Sequence, residues 1–235
     1  SRGASAAARY GAVGVLVRSV TTRSLRTPHT GSLTYDVKLP KVPAAAIATE
    51  DADLIHRLLA RGERVIVKLR LTPQTLPDAD SSNVIAEIPG RENPEEIVVI
   101  GGHLDSWDLG RGAIDDGSGV AVVMDAMRII QASGLQPRRT IRAVLFANEE
   151  NGLKGGKKYA EDNSGDLWRH VAAIEHDLGA GAPTGFRTTL APKEIDRLRP
   201  WVSSLAKLGA LRFEVAEQTG ADTSPLTGGC VVGFG

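Results

Sequence analysis

Apolar residues fall along this chain in two kinds of pattern. A short run of β-branched residues occupies 97–100, and mostly apolar runs occupy 141–147, interrupted by Arg142, and 171–174; runs of that kind form strands buried on both faces of a sheet. Longer stretches repeat their apolar residues every three or four positions. In Gly117–Ala132 the residues Val120, Val123, Met124, Met127 and Ile130 mark one helical face, and Gly134 with Pro137 stops the helix. The order strand, helix, strand across 97–147 predicts two parallel strands joined by a right-handed crossover. Their carboxyl ends then face one crevice, where open α/β sheets bind ligands.

The rest of the pattern predicts smaller elements. Residues 4–18 read as a short helix, a break at Gly11 and a strand over 12–17, and 21–35 as a loop containing Pro28 and Gly31. A strand is expected over 42–49, then a helix over 51–60 with Leu54, Ile55, Leu58 and Leu59 at helical spacing and Gly62 closing it. Residues 65–71 alternate and predict a half-exposed strand. The stretch 71–82 carries two prolines, two aspartates and two serines, so it is the natural linker, and the expected domains are 1–75 and 76–235. Beyond it the pattern predicts a strand over 83–88, a turn over 89–96, and helices over 152–163 and 191–208, the last bearing Ile195, Leu198, Val202 and Leu205. Residues 230–234 read as a strand with nothing after it to cover it, so a piece of a longer protein is expected.

Composition narrows the function classes. The chain has 235 residues, 42% hydrophobic and 24% charged, enough for a real core. Its 28 basic and 28 acidic side chains balance, which gives no electrostatic footprint for nucleic acid or an anionic membrane. No apolar run approaches the roughly 18 residues of a spanning helix. The single cysteine, Cys230, excludes an intrachain disulfide and reads as a small core residue. Residues 1–9 lack the apolar centre of a secretory signal, so location is not legible from them.

The chemistry sits where the apolar runs end. The first run leads through Gly101 and Gly102 to His103 and Asp105; the second into Asn148, Glu149 and Glu150; the third into Glu175, His176 and Asp177. Three strands finishing in imidazole or carboxylate at one crevice point to a metal site. Imidazole is a common zinc ligand, and the Asp105 carboxylate is placed to fix its tautomer through the other ring nitrogen. Asp115 and Asp116 lie between Gly112 and Gly117 at a helix start, where Asp116 is as readily an N-cap as a ligand. Asp115 suits a bridge between two cations, which in co-catalytic sites lie about 3.5 to 4 Å apart. Glu149 and Glu150 read either as an exposed pair or as partners, one on metal and one acting as general base. Asp177 adds a hard oxygen donor; His176 is expected to stand outside the ligand set.

These motifs, H103-x-D105, GAIDDGSG over 112–119, NEENG over 148–152 and EHD over 175–177, resemble metallopeptidase family 28, the co-catalytic zinc amino- and carboxypeptidases. The stretches over 101–119 and 76–90 are similar to its carboxypeptidase Q branch, and PHTG, VPAAAI and PTGF at 28–31, 42–47 and 183–186 extend the likeness over nearly the whole chain. The resemblance implies an α/β fold with a mostly parallel central sheet flanked by helices, plus a partial protease-associated type insert over 1–75. It implies one zinc on His103, Asp115 and Asp177, a second shared between Asp115 and Glu150, and Glu149 as the general base, with Asp105 assigned to the catalytic set. It also implies a downstream histidine ligand for the second zinc, and no histidine follows Asp177, so the piece by itself is expected to be inactive.

The expected activity is therefore hydrolysis of dipeptides or of the terminal residues of short peptides. By the same resemblance the protein is expected to be secreted or periplasmic; its partners are expected to be short peptides or dipeptides, with a homodimer left open and, from the charge balance and run lengths above, neither nucleic acid nor a membrane span. Two other readings stand beside it: a single-zinc amide enzyme of the glutaminyl cyclase kind, and a receptor-like homologue without the chemistry.

Overall fold

A computed structural model describes residues 2–21, 25–29, 31–74, 76–108, 110–177, 179–217, 219 and 221–226, and the backbone of 230–234. Two compact units divide the chain, Ser1–Asp78 and Ala79–Gly235.

The first unit contains α1 (Gly3–Ala8), β1 (Val15–Arg18), β2 (Ala44–Ile47) and α2 (Thr49–Ala60). β1 and β2 pair in parallel, Val15 opposite Ala44. Ser19, just past β1, donates its hydroxyl to the Ile47 carbonyl at 2.8 Å and accepts the His29 N–H at 2.7 Å, which holds the loop after β1 against the end of β2. The strand expected over 65–71 does not form, and Ile66 is 79% exposed. Alternation supplies a strand with two faces but not with a neighbour, and no described strand offers these residues a ladder of hydrogen bonds.

The second unit runs β3 (Val84–Ile88), β4 (Asn93–His103), α3 (Gly117–Ala132), β5 (Arg139–Phe146), α4 (Lys154–Asp162), β6 (His170–His176), β7 (Gly185–Thr188), α5 (Pro192–Val202), β8 (Arg212–Val215) and β9 (Cys230–Phe234). Its sheet has the order β3-β5-β4-β6-β9-β7-β8. The stretch from β5 to β9 is parallel, as is β7 with β8; β3 and β7 pair antiparallel to β5 and β9. This is the α/β fold with a mostly parallel sheet that the sequence predicts.

Two boundaries in this unit lie well away from expectation. β4 begins inside the expected turn, because the Asn93 N–H reaches the Arg138 carbonyl at 2.9 Å and Thr140 donates to the Pro94 carbonyl at 2.7 Å, with a register shift before Ile97. The last helix stops at Val202 and continues as a 3-10 helix to Leu208, two residues after Pro200, which has no N–H to give the α ladder.

The core packs Ile97, Val99, Val144, Phe146, Ala173, Tyr159 and Leu226 together, with Phe146 edge-on to Tyr159 at 6.1 Å between ring centres. On α3, Val123 is buried, whereas Met124, expected on the same face, is 61% exposed. A Cβ on Gly102 would lie 2.7 Å from the Asp116 carboxylate, so only glycine lets the start of α3 sit against β4. The expected burial of the Cys230 side chain lies outside the described residues.

Candidate metal centre

Parallel pairing puts the carboxyl ends of β4, β5 and β6 along one edge: His103 is in register with Phe146, and Gly101 with Glu175. His103 is buried, and its Nε2 lies 3.1 Å from Asp115 Oδ1 and 3.1 Å from Asp177 Oδ1. One ligand atom from each of these three residues falls within 4.8 Å of the other two. Its Nδ1 lies 3.0 Å from the backbone carbonyl of Asp105. A carbonyl only accepts, so the hydrogen belongs on Nδ1 and Nε2 faces the two carboxylates.

Here the sequence reading needs a correction. The carbonyl of Asp105 orients the ring; its carboxylate is 3.7 Å from Nδ1 and is bonded elsewhere. It accepts the N–H of Glu149 at 2.8 Å and of Glu150 at 3.2 Å, tying the loop after β4 to the turn after β5. Asp116 takes the N-cap option: fully buried, it accepts the Gly119 N–H at 3.1 Å and the His103 N–H at 2.8 Å. The peptide between it and the exposed Asp115 is cis. His176 is half-buried and turns its carbonyl onto Gly119, where any Cβ would overlap it.

The electrostatics call for a cation. Burial opposes charge on His103, yet its hydrogen bond to Asp177 and the charges of Asp177, Asp116 and Glu149 push its pKa up to about 10. Glu149 is pushed up to about 8, first by burial and then by Asp177. Glu150 is raised by burial and by Asp115, and its Oε1 is buried without a hydrogen-bond partner. Glu150 stands outside the three-residue group that includes Asp115 and Asp177.

The donor set fits zinc. Donors about 2.1 Å from a tetrahedral ion lie roughly 3.4 Å from one another, close to the two His103–carboxylate separations. One imidazole and two carboxylate oxygens leave a position open, which is the pattern of catalytic rather than structural zinc.

Near this edge the sequence gives no separate role to Glu175 and does not single out Asp222 or Thr223. Glu175, at the end of the third apolar run, is buried and takes the N–H and hydroxyl of Thr223 on Oε2 at 2.8 and 3.0 Å; burial and then Asp222 push its pKa up to about 8. Asp222 is fully buried, accepts the Gly156 N–H at 2.9 Å, and is pushed up to about 6 by burial. Residues 219–226 show no apolar period; one aspartate among small residues is their only cue.

A family model described as Peptidase family M28 matches residues 83–224. Carboxypeptidase Q of Bos taurus is 42% identical over 191 residues, 81% of this chain and 40% of that protein, so the chain spans about two fifths of the length of such curated relatives. The crystal structure of a peptidase M28 precursor from Shewanella amazonensis SB2B is similar at a TM-score of 0.93 and 42% identity, over all of this chain and 53% of that one. An aminopeptidase from Aneurinibacillus sp. strain AM-1 is similar at a TM-score of 0.62 and 26% identity, over 98% of this chain and 56% of that one.

Proposed function

Because the chain belongs to peptidase family M28, we propose that it carries the reaction centre of a zinc exopeptidase that splits dipeptides or removes terminal residues from short peptides. The observation that supports this most is the convergence of Asp115 and Asp177 on His103 Nε2. In this reading His103, Asp115 and Asp177 would hold one zinc, and Glu150 with Asp115 would offer carboxylate oxygens to a second. Bound zinc supplies Lewis acidity to the scissile carbonyl and lowers the pKa of the attacking water.

The residues of the chain do the rest. Glu149, close enough to Asp177 and His103 for their charges to act on its carboxylate, would take a proton from the attacking water as general base and return it to the leaving amine. Asp105 aims Glu149 and Glu150 by holding their N–H groups, a positioning role. His103 is held by its two ring nitrogens and its backbone N–H, so it presents Nε2 in one orientation. The Ser1–Asp78 unit is read as part of a protease-associated type insert, and secretion or a periplasmic home belongs to the same proposal.

A single-zinc enzyme of the glutaminyl cyclase kind is the second reading. It is favoured by Glu150 standing outside the compact three-residue group. A panel of dipeptides beside a glutaminyl peptide, tested on the full-length protein and on Glu149→Gln, separates them. The proposal expects dipeptide turnover by the wild type, and its loss in Glu149→Gln with zinc content retained. Turnover by Glu149→Gln removes Glu149 from the role, and cyclisation alone favours the second reading.

A further inference from the structure

We propose that the turn over residues 221–226 is a clasp that fixes the spacing between the Glu149–Glu150 turn and the strand end bearing Asp177, with Asp222 and Thr223 as positioning residues for the hydrolysis. The inference rests on the exopeptidase reading for its consequence, and on hydrogen bonds alone for its geometry.

One side of the clasp holds α4. That helix starts after Leu153, whose side chain gives no cap, so its first N–H groups need acceptors from elsewhere. Lys154 and Gly155 use the carbonyls of Asn148 and Ala147 at 3.1 and 2.8 Å. The next N–H, from Gly156, goes to Asp222 at 2.9 Å, in a contact so close that a Cβ on Gly156 would overlap the Asp222 carbonyl. The N–H groups of Gly152 and Leu153 return to the Glu149 carbonyl at 2.9 and 2.8 Å. A shift of the start of α4 is therefore a shift of Glu149.

The other side holds β6. Thr223 gives both its N–H and its hydroxyl to Glu175, two residues before Asp177. Consecutive residues of one turn thus bond to the two elements whose separation the chemistry depends on. The turn itself is braced by Ser224 N–H to the Ala221 carbonyl at 2.9 Å, by Leu226 N–H to the Thr223 carbonyl at 3.0 Å, and by the Thr219 and Ser224 hydroxyls at 2.8 Å. Leu226 anchors it in the core. A braced, buried bracket of this kind transmits position, and a misplacement near 1 Å at a reacting group costs about a hundredfold in rate.

Amide exchange and dipeptide kinetics on the full-length protein test this together. Asp222→Ala is expected to speed exchange over 149–157 and to lower kcat by roughly tenfold to a hundredfold with KM changed less than about twofold. Asp222→Asn keeps an acceptor for Gly156 and is expected to restore both. Thr223→Val is expected to speed exchange over 170–177 and lower kcat, and Thr223→Ser to restore them. Wild-type exchange in Asp222→Ala, or an Asp222→Asn variant as impaired as the alanine, overturns the clasp. If Asp222→Ala does not fold, wild-type exchange in Thr223→Val overturns it instead. A wild type without peptidase activity overturns the exopeptidase reading, and the exchange comparison still decides the clasp.

Discussion

The carboxylate of Asp105 accepts the backbone N–H of Glu149 at 2.8 Å, across 44 residues of sequence. The strand end that presents His103 is thereby bonded to the strand end that presents Glu149, so imidazole and candidate base move as one body.

Removing that bond should be felt in rate more than in stability. Asp105→Ala is expected to lower kcat or zinc affinity by about tenfold to a hundredfold, the range for groups that orient ligands. Steady-state kinetics and zinc competition on the full-length protein check it, and wild-type values for both would show that Glu149 and Glu150 keep their places unaided.

Close approach of α3 to β6 predicts a second outcome. Gly119 lies under the His176 carbonyl and the Asp116 carboxylate with no room for a Cβ. Gly119→Ala must push the helix start off the sheet, and the expected loss is about 1 to 3 kcal/mol, read by urea unfolding. An unchanged midpoint and slope would mean the contact yields without cost.

The pH dependence of stability has a source away from the metal centre. His170 is buried, and its Nε2 lies 2.8 Å from the Tyr159 hydroxyl, which in turn accepts from Arg142 at 2.7 Å. Burial, with the nearby Arg142 charge adding to it, holds the His170 pKa below its usual value. As pH falls through the unfolded value of about 6.5, the unfolded chain takes up a proton that the native state refuses, so stability drops. Unfolding free energies from about pH 8 to about pH 5 should fall for the wild type and stay flatter for His170→Gln, whose amide does not titrate there. Equal pH slopes for the two proteins would contradict the assignment.

The legible part of this molecule was the part with a period. Gly117–Ala132 has the bounds its apolar spacing predicts, because Asp116 caps one end and Gly134 follows the other. The strands leading to His103, Glu149 and Asp177 were legible because each carries consecutive apolar residues, over 97–100, 143–147 and 171–174, just before its polar end. Residues 65–71 misled because alternation encodes faces and says nothing of a pairing partner. Asp105 was read for its carboxylate, but its carbonyl meets the ring; sequence does not record which oxygen of a residue turns inward. Asp222 and Thr223 were invisible because a turn that bonds to two distant elements has no local pattern to betray it.

The measurement that bears most directly on the central claim is zinc content and dipeptide hydrolysis of the full-length protein, before and after chelation, beside Asp177→Ala. The account predicts that the wild type holds zinc, loses metal and turnover together on chelation and regains both when zinc is returned, and that Asp177→Ala binds zinc at least about tenfold more weakly. Undiminished hydrolysis in chelator, or an Asp177→Ala protein that holds zinc as tightly as the wild type, would contradict it.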